Sequence, residues 1–119
     1  SVSYMMVESC KAAQELMGKG VDVEVIDLRT VKPLDEKLLL KSVEKTGRMV
    51  VVDGGWKTCG LASEISAIIV ENAFKHLKAP IKRVTLPDVP APASCVLENV
   101  YYRKSKDIIK AIEEVFKGN

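Results

Sequence analysis

Met49-Val-Val-Val-Asp-Gly-Gly-Trp-Lys-Thr-Cys-Gly-Leu-Ala-Ser-Glu-Ile65 reads as strand, loop and helix in immediate succession. Met49 to Val52 is a short continuous apolar run rich in β-branched residues, the pattern of a strand covered on both faces. The helix that follows is expected from about Leu61 to Leu77, with Leu61, Ile65, Ile68, Ile69 and Leu77 as its apolar stripe. Ala79-Pro80 breaks it, and Ile81-Lys-Arg-Val-Thr-Leu86 reads as a second strand. A strand, a helix and a strand joined by short connections form a right-handed parallel unit.

The same alternation extends in both directions. Upstream, Ser1 to Tyr4 looks like the tail of a strand, and the absence of an initial methionine suggests a piece of a longer polypeptide. A helix is expected from about Met5 to Met17, with Met6, Cys10, Ala13 and Met17 facing a core. Gly18 and Gly20 would end it. Val21-Asp-Val-Glu-Val-Ile-Asp-Leu28 alternates cleanly, as a strand with Val21, Val23 and Val25 on one face. Pro33 biases Lys32 away from helix. Asp35 is placed as an N-cap, with Leu34 and Leu39 as a hydrophobic staple. That helix should run to about Thr46, bury Leu38, Leu39 and Val43, and stop at Gly47. Downstream, Pro87, Pro90 and Pro92 keep the chain irregular through about Ser94. A last helix is expected to start after Ser105 as N-cap and to reach Lys117, with Ile108, Ile109, Ile112, Val115 and Phe116 as its stripe. The pattern predicts one α/β domain over residues 1–119, a parallel sheet with helices on both faces.

Composition narrows the function classes. The 119 residues are 47% hydrophobic and 29% charged, a globular balance in one domain's length. No apolar run approaches the roughly 18 residues of a membrane span, and no signal-peptide pattern opens the chain. A net charge of +2 and 5% aromatic residues give no sign of a nucleic-acid partner. Cys10, Cys59 and Cys95 are dispersed and form no CxxC pair, which reads as reduced thiols in an intracellular protein. His76 is the only histidine, so no Cys/His metal cluster is expected.

The place to look for chemistry is the loop after Met49–Val52, because open α/β sheets bind ligands beyond the carboxyl ends of their strands. Gly54-Gly-Trp-Lys-Thr-Cys-Gly60 is spaced GGxxxxG, which matches neither the dinucleotide nor the P-loop pattern. It reads as a tight turn with close helix–sheet packing. Trp56 could fill a subunit interface or cover the domain's own core. Asp53 ends a strand, where a receiver-like signalling domain would carry its phospho-acceptor. The alternative is a carboxylate that accepts hydrogen bonds from the loop amides that follow. His76 reads as a solvated helix-end residue. No catalytic, cofactor-binding or metal-binding residue emerges from these patterns.

The order of the motifs resembles the transketolase C-terminal domain family. Val23-Glu-Val-Ile-Asp-Leu-Arg-Thr-Val-Lys-Pro-Leu-Asp35 is similar to its VEVIDLRTxxPLD signature, and Val50-Val-Val-Asp-Gly-Gly-Trp56 follows. Gly60-Leu-Ala-Ser-Glu-Ile65, Leu77-Lys-Ala-Pro80, Arg83-Val84, Asp88-Val-Pro-Ala-Pro92 and Lys106-Asp-Ile-Ile109 complete the set. Within the family the set is most like the C-terminal domain of the β subunit of 2-oxo acid dehydrogenase E1 components. Asp88-Val-Pro-Ala-Pro favours the pyruvate enzymes, while Ala62-Ser-Glu-Ile-Ser66 is shared in style with the branched-chain ones. Transketolase or deoxyxylulose-phosphate synthase is the alternative.

The resemblance implies a three-layer α/β/α sandwich with a five-stranded, mostly parallel mixed sheet whose first strand is antiparallel and is completed by residues before Ser1. It implies an oxidoreductase only as part of the intact E1, with thiamine diphosphate and magnesium bound by other modules and none by this stretch. It implies assembly with an E1 α subunit and a second β subunit, and docking of the E2 peripheral subunit-binding domain. That docking uses an acidic residue before an Ala-Pro dipeptide together with the chain's terminal carboxylate. The corresponding positions are Lys78, a reversal of sign, and Asn119; Trp56 is a further interface candidate. The implied compartment is the mitochondrial matrix in a eukaryote or the cytoplasm in a bacterium.

Overall fold

Val51 and Val52 are neighbours on one strand and are buried in two different cores. Successive strand side chains point to opposite faces. Val51 packs with Leu39 and Val43 and with Ala62, Ile65 and Ile69. Val52 packs with Met5, Ala12 and Leu16 and with Ile108 and Ile109. This is the geometry of a sheet with helices on both sides, as the computed structural model of residues 1–118 shows in full.

The elements are α1 (Met5–Met17), α2 (Glu36–Thr46), β1 (Val50–Trp56), α3 (Leu61–Ala73), β2 (Lys82–Leu86), α4 (Cys95–Tyr101) and α5 (Ser105–Lys117), with a 3₁₀ turn at Phe74–His76. β1 and β2 pair in parallel, Val50 opposite Lys82, Val51 opposite Arg83 and Val52 opposite Val84; the register then shifts before Trp56 meets Leu86. Helices α2 and α3 form one outer layer and α1 and α5 the other. The α/β class and the three layers agree with expectation.

The sheet differs from it. Among the described residues it has two strands, not five. Val21–Leu28 is extended but joins no ladder. Its alternation of half-buried and exposed side chains is real, yet its edge toward β1 has no neighbour to bond. Besides the bond from Val21 N to Leu16 O (3.0 Å), its backbone partner among the described residues is Ser1: the Ser1 amine donates to Ile26 O (2.8 Å) and Leu28 N donates to Ser1 O (2.9 Å). That pattern is parallel. No antiparallel strand is found among the described residues.

Helix boundaries follow local chemistry. Asp35 caps α2 by accepting from Leu38 N (3.1 Å), and Gly47 ends it in the left-handed conformation at φ 71°. Leu39 is buried and Leu34 packs on the same core, as a staple requires, whereas Leu38 is exposed. On α1 the buried residues are Met5, Glu8, Ser9, Ala12 and Leu16, one position before the expected stripe; Cys10 and Met17 are exposed. Glu8 shares this buried face, its carboxylate held by hydrogen bonds from Lys11 and Ser105. Left-handed geometry after α1 falls at Gly20, not Gly18. α3 ends at Ala73 rather than Leu77. Ser105 is the first residue of α5 and not its cap; Lys104 is the cap, its N–H donating to Asp107 Oδ2 (2.9 Å).

Glu8 fastens the two helices of its layer. Its Oε2 accepts the Ser105 N–H (2.8 Å), one of the amides that an α5 start leaves without an intrahelical partner, and its Oε1 accepts Lys11 Nζ (2.7 Å). The bonds from Lys11 and from Ser105 hold the Glu8 carboxyl below its ordinary 4.5. The unfolded chain therefore takes up this proton at higher pH than the folded one, and the stabilisation is present above about 4.5 and lost as pH falls through the folded value. Glu8→Gln is expected to cost about 1–2 kcal/mol at pH 7. Urea denaturation of both proteins should show that difference shrinking as the pH is lowered toward 3; a gap unchanged by acid would refute the role given to the charge.

Candidate functional site

The carboxyl end of β1 is built around Asp53. Its side chain is buried, with Oδ1 accepting from Gly55 N (2.9 Å) and Oδ2 from Ala62 N (3.2 Å). One carboxylate thus closes the Gly54-Gly55 turn and caps the first turn of α3, where a negative charge also meets the helix dipole favourably. A Cβ on Gly60 would lie 2.2 Å from the Trp56 carbonyl oxygen, so no other residue permits this approach. The rest of the loop is pinned from β2 and the segment after it. Asp88 accepts Thr58 N (2.9 Å) and Thr58 Oγ1 (2.7 Å), and those bonds hold its carboxyl below the usual range. Arg83 Nη1 donates to Ser63 Oγ (2.6 Å) and to Lys57 O (3.3 Å).

This arrangement decides between the readings of the loop. The amides of Gly55, Thr58 and Ala62 are already held by carboxylates of this chain, so the loop does not offer them as a cradle for a diphosphate. Among the described residues no three Cys, His, Asp or Glu side chains gather as metal ligands. Thiamine diphosphate and magnesium therefore do not fit the residues of this loop. Both oxygens of Asp53 are engaged with backbone, which matches a structural carboxylate and not an exposed phospho-acceptor. His76 is half-buried at the end of the 3₁₀ turn, remote in sequence from this loop. Cys10, Cys59 and Cys95 are all exposed and free.

Trp56 begins a different kind of surface. It is 55% exposed, yet its Nε1 donates to Tyr101 Oη (3.3 Å), and Tyr101 Oη donates to Val89 O (2.9 Å). Through this relay the end of β1 is tied to α4, which the proline-rich reading of residues 87–94 did not extend far enough to find. A helix of one or two turns carries too little periodicity to be recognised alone. α4 turns apolar side chains outward: Val96 and Val100 are 75% and 76% exposed, with Leu97 beside them. Trp56, Val89 and Tyr102 are further exposed apolar residues linked to this helix. Lys78 lies elsewhere, between α3 and β2; its backbone N–H donates to Gly47 O (2.8 Å) and its aliphatic stem covers Gly47. Near it, Val70, Phe74, Leu77 and Pro80 line an open groove with Arg83. The structure therefore separates Trp56 and Lys78 onto different elements, and Asn119 lies outside the described residues.

The domain is thus a two-core α/β sandwich with a carboxylate-locked loop and an outward apolar helix. The profile of the family described as "Transketolase, C-terminal domain" matches residues 1–108. The chain belongs to that family. It is 39% identical over 96% of its length to the pyruvate dehydrogenase E1 component subunit beta of Dictyostelium discoideum mitochondria, and 42% identical over 87% to the subunit of the same name from Rickettsia felis. It is 41% identical over 96% of its length to the beta subunit of an acetoin:2,6-dichlorophenolindophenol oxidoreductase from Cupriavidus necator. The chain spans about a third of each: 32%, 32% and 34% respectively. A solved structure described as a split gene transketolase, inactive beta4 tetramer, shares the fold with a TM-score of 0.86 at 24% identity, over 98% of this chain and 38% of that one.

Asp53→Asn is expected to lower stability by about 1–3 kcal/mol, because an amide cannot accept at both positions and one buried N–H loses its partner. Thermal unfolding measures this. Intact mass after incubation with acetyl phosphate and magnesium should show no adduct on the unmodified protein, and a phosphorylated Asp53 would reinstate the signalling reading.

Proposed function

We propose that this is the assembly and docking domain of a thiamine diphosphate-dependent 2-oxo acid dehydrogenase E1 β-type subunit, of the pyruvate enzymes, with the reaction centre built by other modules. The observation that carries the reading is the apolar face of α4. Val96, Leu97 and Val100 expose a hydrophobic stripe on a short helix that is anchored from behind by Tyr101, and an exposed face of this kind is a recognised mark of a protein–protein contact. Trp56 beside it supplies a side chain type enriched in such contacts. The partners are an E1 α subunit and a second β subunit. The intact E1 is an oxidoreductase that feeds an acyl group toward coenzyme A within the complex, in the mitochondrial matrix or a bacterial cytoplasm. This domain by itself is catalytically silent.

Relatives named for pyruvate and for acetoin match at similar identity. That suits a domain whose residues answer to neighbouring subunits and not to the substrate. Lys78 and the groove beside it supply the E2 docking position. A cation there requires a carboxylate on the facing partner, the reverse of the polarity that the family resemblance implies.

Val96→Asp with Val100→Asp in the full-length subunit is expected to abolish assembly with the partner subunits, seen as loss of the assembled species in size-exclusion chromatography with light scattering. Circular dichroism should be unchanged, because both side chains are already in water. Normal assembly of the double variant would remove α4 from the interface. Lys78→Glu should weaken binding of the E2 peripheral subunit-binding domain about tenfold or more in calorimetry, mainly by like-charge contact; unchanged binding would move docking away from this position.

A further inference from the structure

Between the end of β2 and the start of α5 the chain makes an excursion, residues 87–104, that carries α4. Its two ends meet. Arg103 Nε donates to Thr85 O (2.9 Å), and just beyond it the Ser105 N–H is fixed to Glu8. From Pro87 to Lys104, Tyr101 is the one buried residue, at 7% exposure. Neither core includes a residue of this stretch. The excursion therefore rests on the domain without being packed into it.

It is braced within itself. Tyr101 Oη donates to Val89 O (2.9 Å), Asn99 Nδ2 to Cys95 O (3.0 Å) and Lys104 Nζ to Asn99 Oδ1 (3.0 Å). The Tyr101 and Tyr102 rings meet edge to face at 5.1 Å. Away from its root it is bonded to the body at two places, both on the loop after β1. Asp88 accepts Thr58 N and Thr58 Oγ1 in exposed bonds, and Trp56 Nε1 donates to Tyr101 Oη at 3.3 Å. Hydrogen bonds of this kind contribute little net stability, because water takes their place when they break. A segment with few buried apolar groups and solvent-exposed bonds lies at the low end of the range of opening free energies.

We infer that residues 87–104 are a detachable arm, which closes on the loop after β1 through Tyr101 and Asp88 and opens as one unit while both cores stay folded. Tyr101 is the positioning residue. Its phenol joins the first residues of the arm to the last through Val89, and joins both to Trp56. Opening releases Thr58 together with α4, so the loop and the helix are presented jointly or not at all. A partner that touches α4 and Trp56 at once binds only the closed arm, and the closed fraction scales its affinity. The inference stands on the burial and the ties of the arm, and it is independent of the E1 reading.

Native-state hydrogen exchange in low urea reads this opening. The Thr58 N–H is bonded to Asp88, and the Glu98 and Tyr102 N–H groups are bonded to Ser94 O and Glu98 O, so they report on both sides of the closure. All three are expected to share one opening constant and one urea dependence. After correction for intrinsic rates they should exchange at least about 100-fold faster than the Ile65 and Ile69 amides of α3. Tyr101→Phe keeps the ring and removes both of its bonds. It should speed exchange at Thr58, Glu98 and Tyr102 by one common factor of about ten, with Ile65 and Ile69 unchanged. Asp88→Ala should speed exchange at Glu98 and Tyr102 in the same way, although Asp88 bonds to neither. Acceleration confined to α4 in Tyr101→Phe, with Thr58 unaffected, would overturn the inference, because the helix would then fray alone. Equal opening constants for arm and core amides would overturn it as well, because opening would then be global unfolding.

Discussion

Everything in this domain depends on β1 being covered on both faces. A strand that buries Val51 in one core and Val52 in another needs two layers of helices, and neither layer can be lost without exposing half of the strand. Burial of a branched aliphatic side chain contributes roughly 1.5–3 kcal/mol. Removal of a layer therefore forfeits several such terms at once. The same constraint fixes the loop after β1. The chain leaves the sheet between two occupied layers and must turn at once into α3, which is why Asp53 is buried, Gly60 is packed against a carbonyl, and the loop amides are consumed internally.

Much of this could be read from the residues. The runs at 49–52 and 81–86 announced strands, Asp35 and Gly47 marked the ends of α2 with specific chemistry, and the GGxxxxG spacing described a turn and not a phosphate loop. The misreadings share a cause. Glu8 lies on the buried face of α1 because its carboxylate accepts a backbone N–H 97 residues away, a long-range contact that periodicity cannot show. Ser105 has the side chain of a cap, yet its amide is satisfied across the domain. α4 was too short to show a period, and its outward apolar residues carried no signal of their own. For Val21–Leu28 the alternation was legible; whether a neighbouring strand lies alongside is a property of the rest of the sheet and cannot be read from the segment.

The loop was legible in the sequence as a tight turn, and in the fold Asp53, Asp88 and Arg83 around it are engaged in intramolecular bonds. The sequence could show Asp53, Asp88 and Arg83 as isolated charges, and only the fold brings them together around one loop. The surface adds an apolar helix tied from behind by a tyrosine, and a groove beside Lys78. Surfaces of this kind follow from which side chains the core does not need, which is the part of a sequence that periodicity describes least well.

The bond from Ser105 to Glu8 also has a temporal meaning. During synthesis α1 emerges well before α5, and the acid on it has no backbone partner until Ser105, 97 residues further on, has left the ribosome. Contacts between remote parts of a chain slow folding because closure entropy comes before their reward. Half of the sheet must therefore wait, open to solvent, for its final covering element. A nascent chain stalled before α5 would be a natural client for chaperones.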